Sequence, residues 1–274
     1  KKIFFLTADM GINLVEKFEH KFPERFLNVG IAEQNIIGIA SGLSNCGYIP
    51  FVYTISNFLV HRCFEQIRND ISLHNKKIVL VGTSCGFDNS PLGPTHHMVD
   101  DWGHIKILPE FQVYCPSSNE YSKNITKKIL KIKKPVFLRI PKGDYNDIKT
   151  NKDIVHFKKN REKLLVTYGN MTKECFPIYK NSDISLLVLN KLHPLKSNIS
   201  KILIKYNKIY VVEDHFSSSG LYGSLCELMI NFNKRLNIFP IGPIGFNLKV
   251  GESPEFLMRQ HKIDQDSIQK KIKP

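Results

Sequence analysis

The feature that most constrains the fold is an alternation of two hydrophobic periods along the first half of the chain. Short β-branched or aromatic runs at Ile3–Leu6, Arg25–Val29, Ile49–Tyr53, Lys77–Val81, Gln112–Cys115 and Val136–Arg139 read as strands. Between them, Ala32–Cys46, Asn57–Leu73 and Asn119–Lys131 read as amphipathic helices, the last closing on lysines that suit the negative end of a helix dipole. Strand alternating with helix predicts a parallel sheet covered on both faces. The irregular stretch Gly82–Gly103 contains four glycines and two prolines. Loops of that length inside a compact domain tend to be functional.

A lysine- and asparagine-rich segment at Lys142–Lys159 reads as a linker, after which a second α/β block begins. Its expected strands are Leu164–Tyr168, Ile184–Leu189, Lys208–Glu213 and Arg235–Pro240. Its expected helices lie near Thr172–Lys180, Leu195–Tyr206, Leu221–Asn231 and Ser253–Ile272. The predicted architecture is two α/β domains, residues 1–155 and 156–274, each a mostly parallel sheet flanked by helices.

Composition narrows the classes. The chain is 42% apolar and 23% charged, an ordinary globular balance that excludes disordered and collagen-like classes. No apolar run approaches the roughly 20 residues of a membrane span, and the N-terminal apolar run is too short for a signal peptide. These readings predict a cytoplasmic protein with no membrane partner, and the abrupt start leaves room for residues upstream. The net charge is +14 from 39 Lys+Arg against 25 Asp+Glu. The excess is scattered lysine with few interleaved aromatics, unlike a stacking platform, so nucleic acid is not the expected partner. Six well-separated cysteines without a CxxC pair read as reduced core thiols rather than a zinc site.

Three short patterns carry candidate chemistry. In Asn28-Val-Gly-Ile-Ala-Glu-Gln-Asn35 a strand meets a helix, Gly30 permits the turn, and Glu33 falls in the first helical turn. That acid is either a dipole-stabilised helix start or a ligand group in the crevice that forms at strand C-termini. In Leu92-Gly-Pro-Thr-His-His97 the histidines offer proton transfer near neutral pH, or a hydrogen bond within the loop core. Val136-Phe-Leu-Arg139 ends an apolar strand on an arginine, placed for a phosphate or carboxylate clamp or for a surface ion pair.

Taken together in this order, Asn28–Gln34 and Gly93–His96 resemble the cofactor-binding motifs of the transketolase family of thiamine diphosphate enzymes. The resemblance extends from Thr7-Ala-Asp9 through Pro50-Phe-Val-Tyr-Thr54 and Leu108-Pro109 to Glu213-Asp-His-Phe-Ser-Ser-Ser-Gly220 and Gly223. It looks closest to the separately encoded C-terminal subunits of split transketolases, a pyrimidine-binding domain followed by a C-terminal domain. It implies that Glu33 hydrogen-bonds the aminopyrimidine ring and favours the tautomer that takes the thiazolium proton. It implies that Phe58 stacks on the pyrimidine and that Asp9 lies near the thiazolium end. By the same resemblance His96 contacts the reacting sugar, and Arg139 binds donor or acceptor oxygens.

The sequence also departs from the family. Two usually aromatic cofactor-side positions are Ile55 and His61; the aspartate that reads a sugar hydroxyl is Leu92, and a phosphate-binding histidine is Ser84. The cofactor side thus reads as retained and the substrate side as altered, which favours a specialised or modified sugar. The family's Gly-Asp-Gly and asparagine motif for pyrophosphate and metal is missing. Gly143-Asp144-Tyr145 with Asn170 downstream is rejected, because tyrosine replaces the second glycine. No residue of this chain is assigned to metal. The implied protein is the C-terminal subunit of a heteromeric, α2β2 transketolase. An N-terminal subunit would supply the pyrophosphate site and ligate Mg2+ or Ca2+, and the pair would move a two-carbon ketol unit between sugars. The alternatives are an enzyme like 1-deoxyxylulose-5-phosphate synthase or a 2-oxo acid dehydrogenase β subunit, acting on a 2-oxo acid, and a non-catalytic interaction subunit.

Overall fold

The computed structural model describes residues 2–143, 148–230 and 236–273. Asp144 and Tyr145 of the rejected motif, and Asn231 and Arg235 at expected element ends, lie outside the described residues. The strands are β1 (Ile3–Thr7), β2 (Phe26–Asn28), β3 (Ile49–Ile55), β4 (Val79–Thr83), β5 (Gln112–Tyr114), β6 (Val136–Ile140), β7 (Ile154–Phe157), β8 (Lys163–Thr167), β9 (Ser185–Leu189), β10 (Lys191–His193), β11 (Lys208–Val212) and β12 (Asn237–Ile241). The helices are α1 (Glu16–Lys21), α2 (Glu33–Asn45), α3 (Ser56–Val60), α4 (Phe64–Gln66), α5 (Asp101–Lys106), α6 (Asn119–Ile129), α7 (Thr172–Asn181), α8 (Asn198–Leu203), α9 (Leu221–Met229), α10 (Pro254–Gln260) and α11 (Gln265–Ile272).

Two sheets result, ordered β10-β5-β6-β4-β3-β1-β2 and β12-β11-β8-β9-β7. Among the described residues these strands pair in parallel except the edge strands β10 and β7, which run antiparallel to β5 and β9. The expected α/β architecture of mostly parallel sheets flanked by helices is what the chain forms. Central strands β4 and β9 are buried at every position, as parallel strands covered on both faces must be. The helices cover those faces with regular apolar stripes. In α6, Tyr121, Ile125 and Ile129 are buried at a spacing of four, and Ser118 caps the helix by accepting from Tyr121 N at 3.0 Å. One hydrophobic cluster joins the two sheets, with Leu6, Val52 and Leu80 packed in the same core as Val166, Leu187 and Val211.

Three expectations are corrected. The helix expected over Asn57–Leu73 is broken into α3, α4 and a wider π-type turn at Ile67–Ser72. Such breaks let tertiary contacts override a uniform period; here Leu59, Val60, Cys63, Ile67 and Ile71 are all fully buried. The Lys142–Lys159 linker contains β7, whose half-buried residues Ile154–Phe157 are hidden in the sequence among lysines. The C-terminal helix is split into α10 and α11 by Lys262, which adopts a left-handed conformation (φ 56°), while Ile263 buries completely. The thiol reading holds for Cys63, Cys85, Cys115 and Cys175, which are free and buried; Cys46 is free and exposed. No helix among the described residues is long and apolar enough to cross a membrane.

Candidate active site

Strands β2, β1, β3, β4 and β6 are parallel, so their C-terminal ends open on one side of the sheet. This is the side where open α/β sheets form their ligand crevice. Asp9 follows β1, Asn28 ends β2, Glu33 begins α2, and Ile55 ends β3. The first two turns are tied by a single side chain: Asn28 Oδ1 accepts from Asp9 N and Gly30 N, both at 3.0 Å. Gly30 needs its positive φ of 71° to turn back into α2. Asp9 also has positive φ (51°), and its side chain is exposed.

Glu33 is 3% exposed, which is costly for a carboxylate without a partner. Arg62 supplies one, donating through Nη1 to Glu33 Oε2 at 2.6 Å. The same guanidinium covers the Phe58 ring, with its carbon 4.5 Å from the ring centroid. Phe58 in turn meets the His96 imidazole edge-to-face, with centroids 5.2 Å apart. Glu33, Arg62, Phe58 and His96 therefore form one continuous chain of contacts between α2, α3 and the 82–103 loop. The negative charge also acts on Cys63, whose thiol is pushed up to about 12 by burial and then by Glu33.

His96 is half-buried, with Nδ1 3.0 Å from Thr95 Oγ1. Asn57 Nδ2 donates to the Thr95 carbonyl, pinning that loop to α3. His61 lies on the same rim. Its Nδ1 is 2.9 Å from Asn57 Oδ1 and its Nε2 is 3.3 Å from Asp100 Oδ1. The hydrogen bond to Asp100 raises the His61 pKa by more than burial lowers it. His97 instead turns inward, where burial lowers its pKa, and packs on Phe87.

The remaining substrate-side positions are not part of this chain of contacts. Ser84 is buried in a left-handed conformation (φ 62°), with its Oγ lacking a hydrogen-bond partner. Leu92, read from the sequence as the departure from a family aspartate, is 57% exposed beside Gly93. Ile55 is half-buried at the end of β3. Arg139 is neither an open clamp nor a surface ion pair. It is fully buried, with Nε bonded to both Asp101 oxygens at 2.9–3.0 Å, Nη1 to Asp214 at 3.0 Å and Nη2 to the Met98 carbonyl at 3.3 Å. Burial would lower its pKa, but Asp101 and Asp214 hold it well above the usual value. The network joins the 7-stranded sheet to the turn after β11, with His215 Nε2 3.8 Å from Asp101.

Sequence reasoning missed Arg62, Asp101 and Asp214. Arg62 was the most findable, since it stands four residues after Phe58 and so shares its face on a helical turn. The partnership of Arg139 with Asp214 spans 75 residues and has no local signal.

A cofactor that presents a flat ring with hydrogen-bond donors fits this cluster. The Glu33–Phe58 site already holds a planar, donating group, the Arg62 guanidinium, against one carboxylate and one aromatic face. Such a ring would take the same two contacts once Arg62 moved aside.

Comparison with known proteins gives a consistent picture. The family profile described as "Transketolase, pyrimidine binding domain" matches residues 1–147. A protein from Methanocaldococcus jannaschii described as "Putative transketolase C-terminal section" is 30% identical, over 99% of this chain and 90% of its own length. An apulose-4-phosphate transketolase subunit from Actinobacillus succinogenes is 25% identical, over 93% of this chain and 86% of its own. The 1-deoxy-D-xylulose-5-phosphate synthase of Dictyoglomus turgidum is 29% identical over 82% of this chain, which spans only 38% of that enzyme. Among solved structures, one described as "Split gene transketolase, inactive beta4 tetramer" superposes with a TM-score of 0.84 at 25% identity. It covers 98% of this chain and 91% of that one. The Leishmania mexicana transketolase shares the fold (TM-score 0.80, 16% identity), but this chain spans only 42% of it.

Proposed function

The chain belongs to the transketolase family of thiamine diphosphate enzymes, and from that premise we propose that it is the C-terminal subunit of a heteromeric transketolase. In this reading it works with an N-terminal subunit to move a two-carbon ketol unit from a ketose, phosphorylated or modified, to an aldehyde. The observation that carries the reading is the buried Glu33 carboxylate at a strand-to-helix turn, in contact through Arg62 and Phe58 with His96.

Thiamine diphosphate would supply the carbanion chemistry when bound. Glu33 would hold a proton at the aminopyrimidine ring nitrogen; its desolvated carboxylate at the start of α2 makes a strong, directed acceptor. Phe58 would offer its face to the ring, with Ile55 and His61 beside it and Asp9 toward the other end of the cofactor. Arg62 would have to leave both Glu33 and Phe58. His96 would receive and return protons at a sugar hydroxyl, with its loop held by the Asn57–Thr95 bond. Ser84 and Leu92 would line the substrate side, where the loss of a histidine and an aspartate favours a substrate other than an ordinary pentose phosphate. Arg139 would position that side from beneath through Asp101 and Asp214.

Dependence on a partner is supported by three observations. The sequence contains no Gly-Asp-Gly motif for pyrophosphate and metal. Ile12 and Ile31, in the loops after β1 and β2 beside the cluster, are 86% and 76% exposed and suit a covering surface. The two relatives matched over most of their own length are described as a section and a subunit. The chain spans less than half of the 1-deoxyxylulose-5-phosphate synthases it matches. We infer that residues 1–155 form the pyrimidine-binding unit and 156–274 the C-terminal unit of an α2β2 cytoplasmic assembly.

A second reading is favoured by those synthase matches: condensation of a decarboxylated 2-oxo acid with an aldehyde. The two separate in a donor assay on the reconstituted complex with Mg2+ and thiamine diphosphate. Turnover of a ketose or hydroxypyruvate, abolished by Glu33→Gln without loss of folding, is expected. Carbon dioxide release from pyruvate at competitive rates would support the second reading instead.

A further inference from the structure

A second grouping of chemically capable side chains lies beside the Glu33 cluster; of its three members only His61 enters the reading above, as a neighbour of the cofactor ring, and Asp100 and His104 have no part in it. His61 follows α3, Asp100 immediately precedes α5, and His104 lies four residues further on, so Asp100 and His104 fall on one helical face. One ligand atom from each lies within 4.8 Å of the other two. The two imidazoles meet edge-to-face with centroids 5.1 Å apart, and both are solvent-accessible.

The surrounding hydrogen bonds fix which ring nitrogens are available. His104 Nδ1 is 2.8 Å from the Asp100 backbone carbonyl, which can only accept, so Nδ1 carries the hydrogen. Asn57 Nδ2 donates to the Thr95 carbonyl, which turns Asn57 Oδ1 toward His61. His61 Nδ1, 2.9 Å from that oxygen, therefore carries its hydrogen too. In both neutral rings Nε2 is left with the lone pair. His61 Nε2 then faces Asp100 Oδ1 at 3.3 Å, lone pair against carboxylate, an arrangement that calls for a positive charge between them. A proton on His61 would satisfy two groups; a cation shared by all three residues would also take the lone pair left on His104.

The geometry points to a metal site: we propose that His61, Asp100 and His104 bind a divalent transition metal of the zinc class, with the remaining positions open to water. The N···O separation of 3.3 Å is close to the ligand–ligand span of a tetrahedral ion with bonds of about 2.0–2.1 Å. Two imidazoles and one carboxylate select zinc, cobalt or nickel over Mg2+ and Ca2+, which prefer all-oxygen shells. Orientation of each ligating histidine through an oxygen on its Nδ1 is the outer arrangement such sites carry. Asn57, which orients His61, also holds the Thr95 carbonyl beside His96, so an ion here would stiffen the loop that bears His96. The assignment does not rest on the ketol-transfer reading.

The test is titration of the full chain with Zn2+ by calorimetry and with Co2+ by visible absorption, in a Cys46→Ser background that removes the exposed thiol. One ion should bind with micromolar affinity, giving Co2+ a low-coordinate visible band without thiolate charge transfer. His104→Gln should weaken binding by about 100-fold or more, and Asn57→Ala, which removes the oxygen that orients His61 together with the amide bond to the Thr95 carbonyl, by about 10- to 100-fold. His104 is exposed, so circular dichroism should show both variants folded. Absence of saturable binding below millimolar metal would make His61–Asp100 a simple protonated ion pair. Binding unchanged in His104→Gln would put the ion elsewhere; either result overturns the proposal.

Discussion

Arg62 lies 2.6 Å from Glu33 and makes a buried carboxylate tolerable in the free chain. Its guanidinium stacks on Phe58, so it meets both groups that the proposed function assigns to the cofactor's pyrimidine. The site is therefore filled from within by a side chain that is 42% exposed and able to swing out.

The Glu33–Arg62 pair should show measurable energetic coupling. In a double-mutant cycle of Glu33→Gln and Arg62→Met, urea unfolding should give a coupling of about 1 kcal/mol. That is discounted from a fully buried pair because Arg62 is partly solvated. Strictly additive effects would show that the contact does not stabilise the free chain.

Arg139 should be far less replaceable. Arg139→Met leaves Asp101 and Asp214 buried without their shared cation, and the expected loss is about 3–5 kcal/mol in denaturant unfolding. Arg139→Lys should recover little, because one ammonium cannot reproduce the fork that reaches two carboxylates and the Met98 carbonyl. A loss below about 1 kcal/mol would contradict this account of the junction.

Asp153 supplies the pH prediction. Burial would raise its pKa, but Lys128, Tyr121 and Lys196 hold it down to about 2 from an ordinary 3.8. A depressed folded-state value stabilises above the unfolded pKa and is lost as pH falls through the folded one. The stability gap between the wild type and Asp153→Asn should thus be constant, at about 1 kcal/mol after solvent screening, above about pH 5. It should close between about pH 4 and pH 2 in urea titrations. A gap that persists at pH 2 would mean that Asp153 acts through packing rather than charge.

What the sequence made legible follows the range of the signal. The mostly parallel sheet could be read because apolar strand runs alternate with helical periods, as Ile49–Tyr53 does with the stretch from Asn57. Glu33, Phe58 and His96 could be placed together only through the resemblance of their motifs to the family; local pattern alone left Glu33 and His96 open to a structural role. The edge strand β7 was obscured because Ile154–Phe157 is only half-buried and set among lysines. The burial of Arg139 was not legible because its partners come from α5 and from the turn after β11, and nothing local to Val136–Ile140 announces them. The break in the expected 57–73 helix arises from tertiary burial of Cys63, Ile67 and Ile71, which no uniform helical period encodes.

The central claim is that this chain holds half of a thiamine diphosphate site, and calorimetric titration of the cofactor with Mg2+ tests it most directly. Alone, the chain should show no saturable binding below millimolar cofactor; mixed with an N-terminal subunit carrying the Gly-Asp-Gly motif, it should bind in the micromolar range, and Glu33→Gln should weaken that binding. Micromolar binding by the chain on its own would contradict the account.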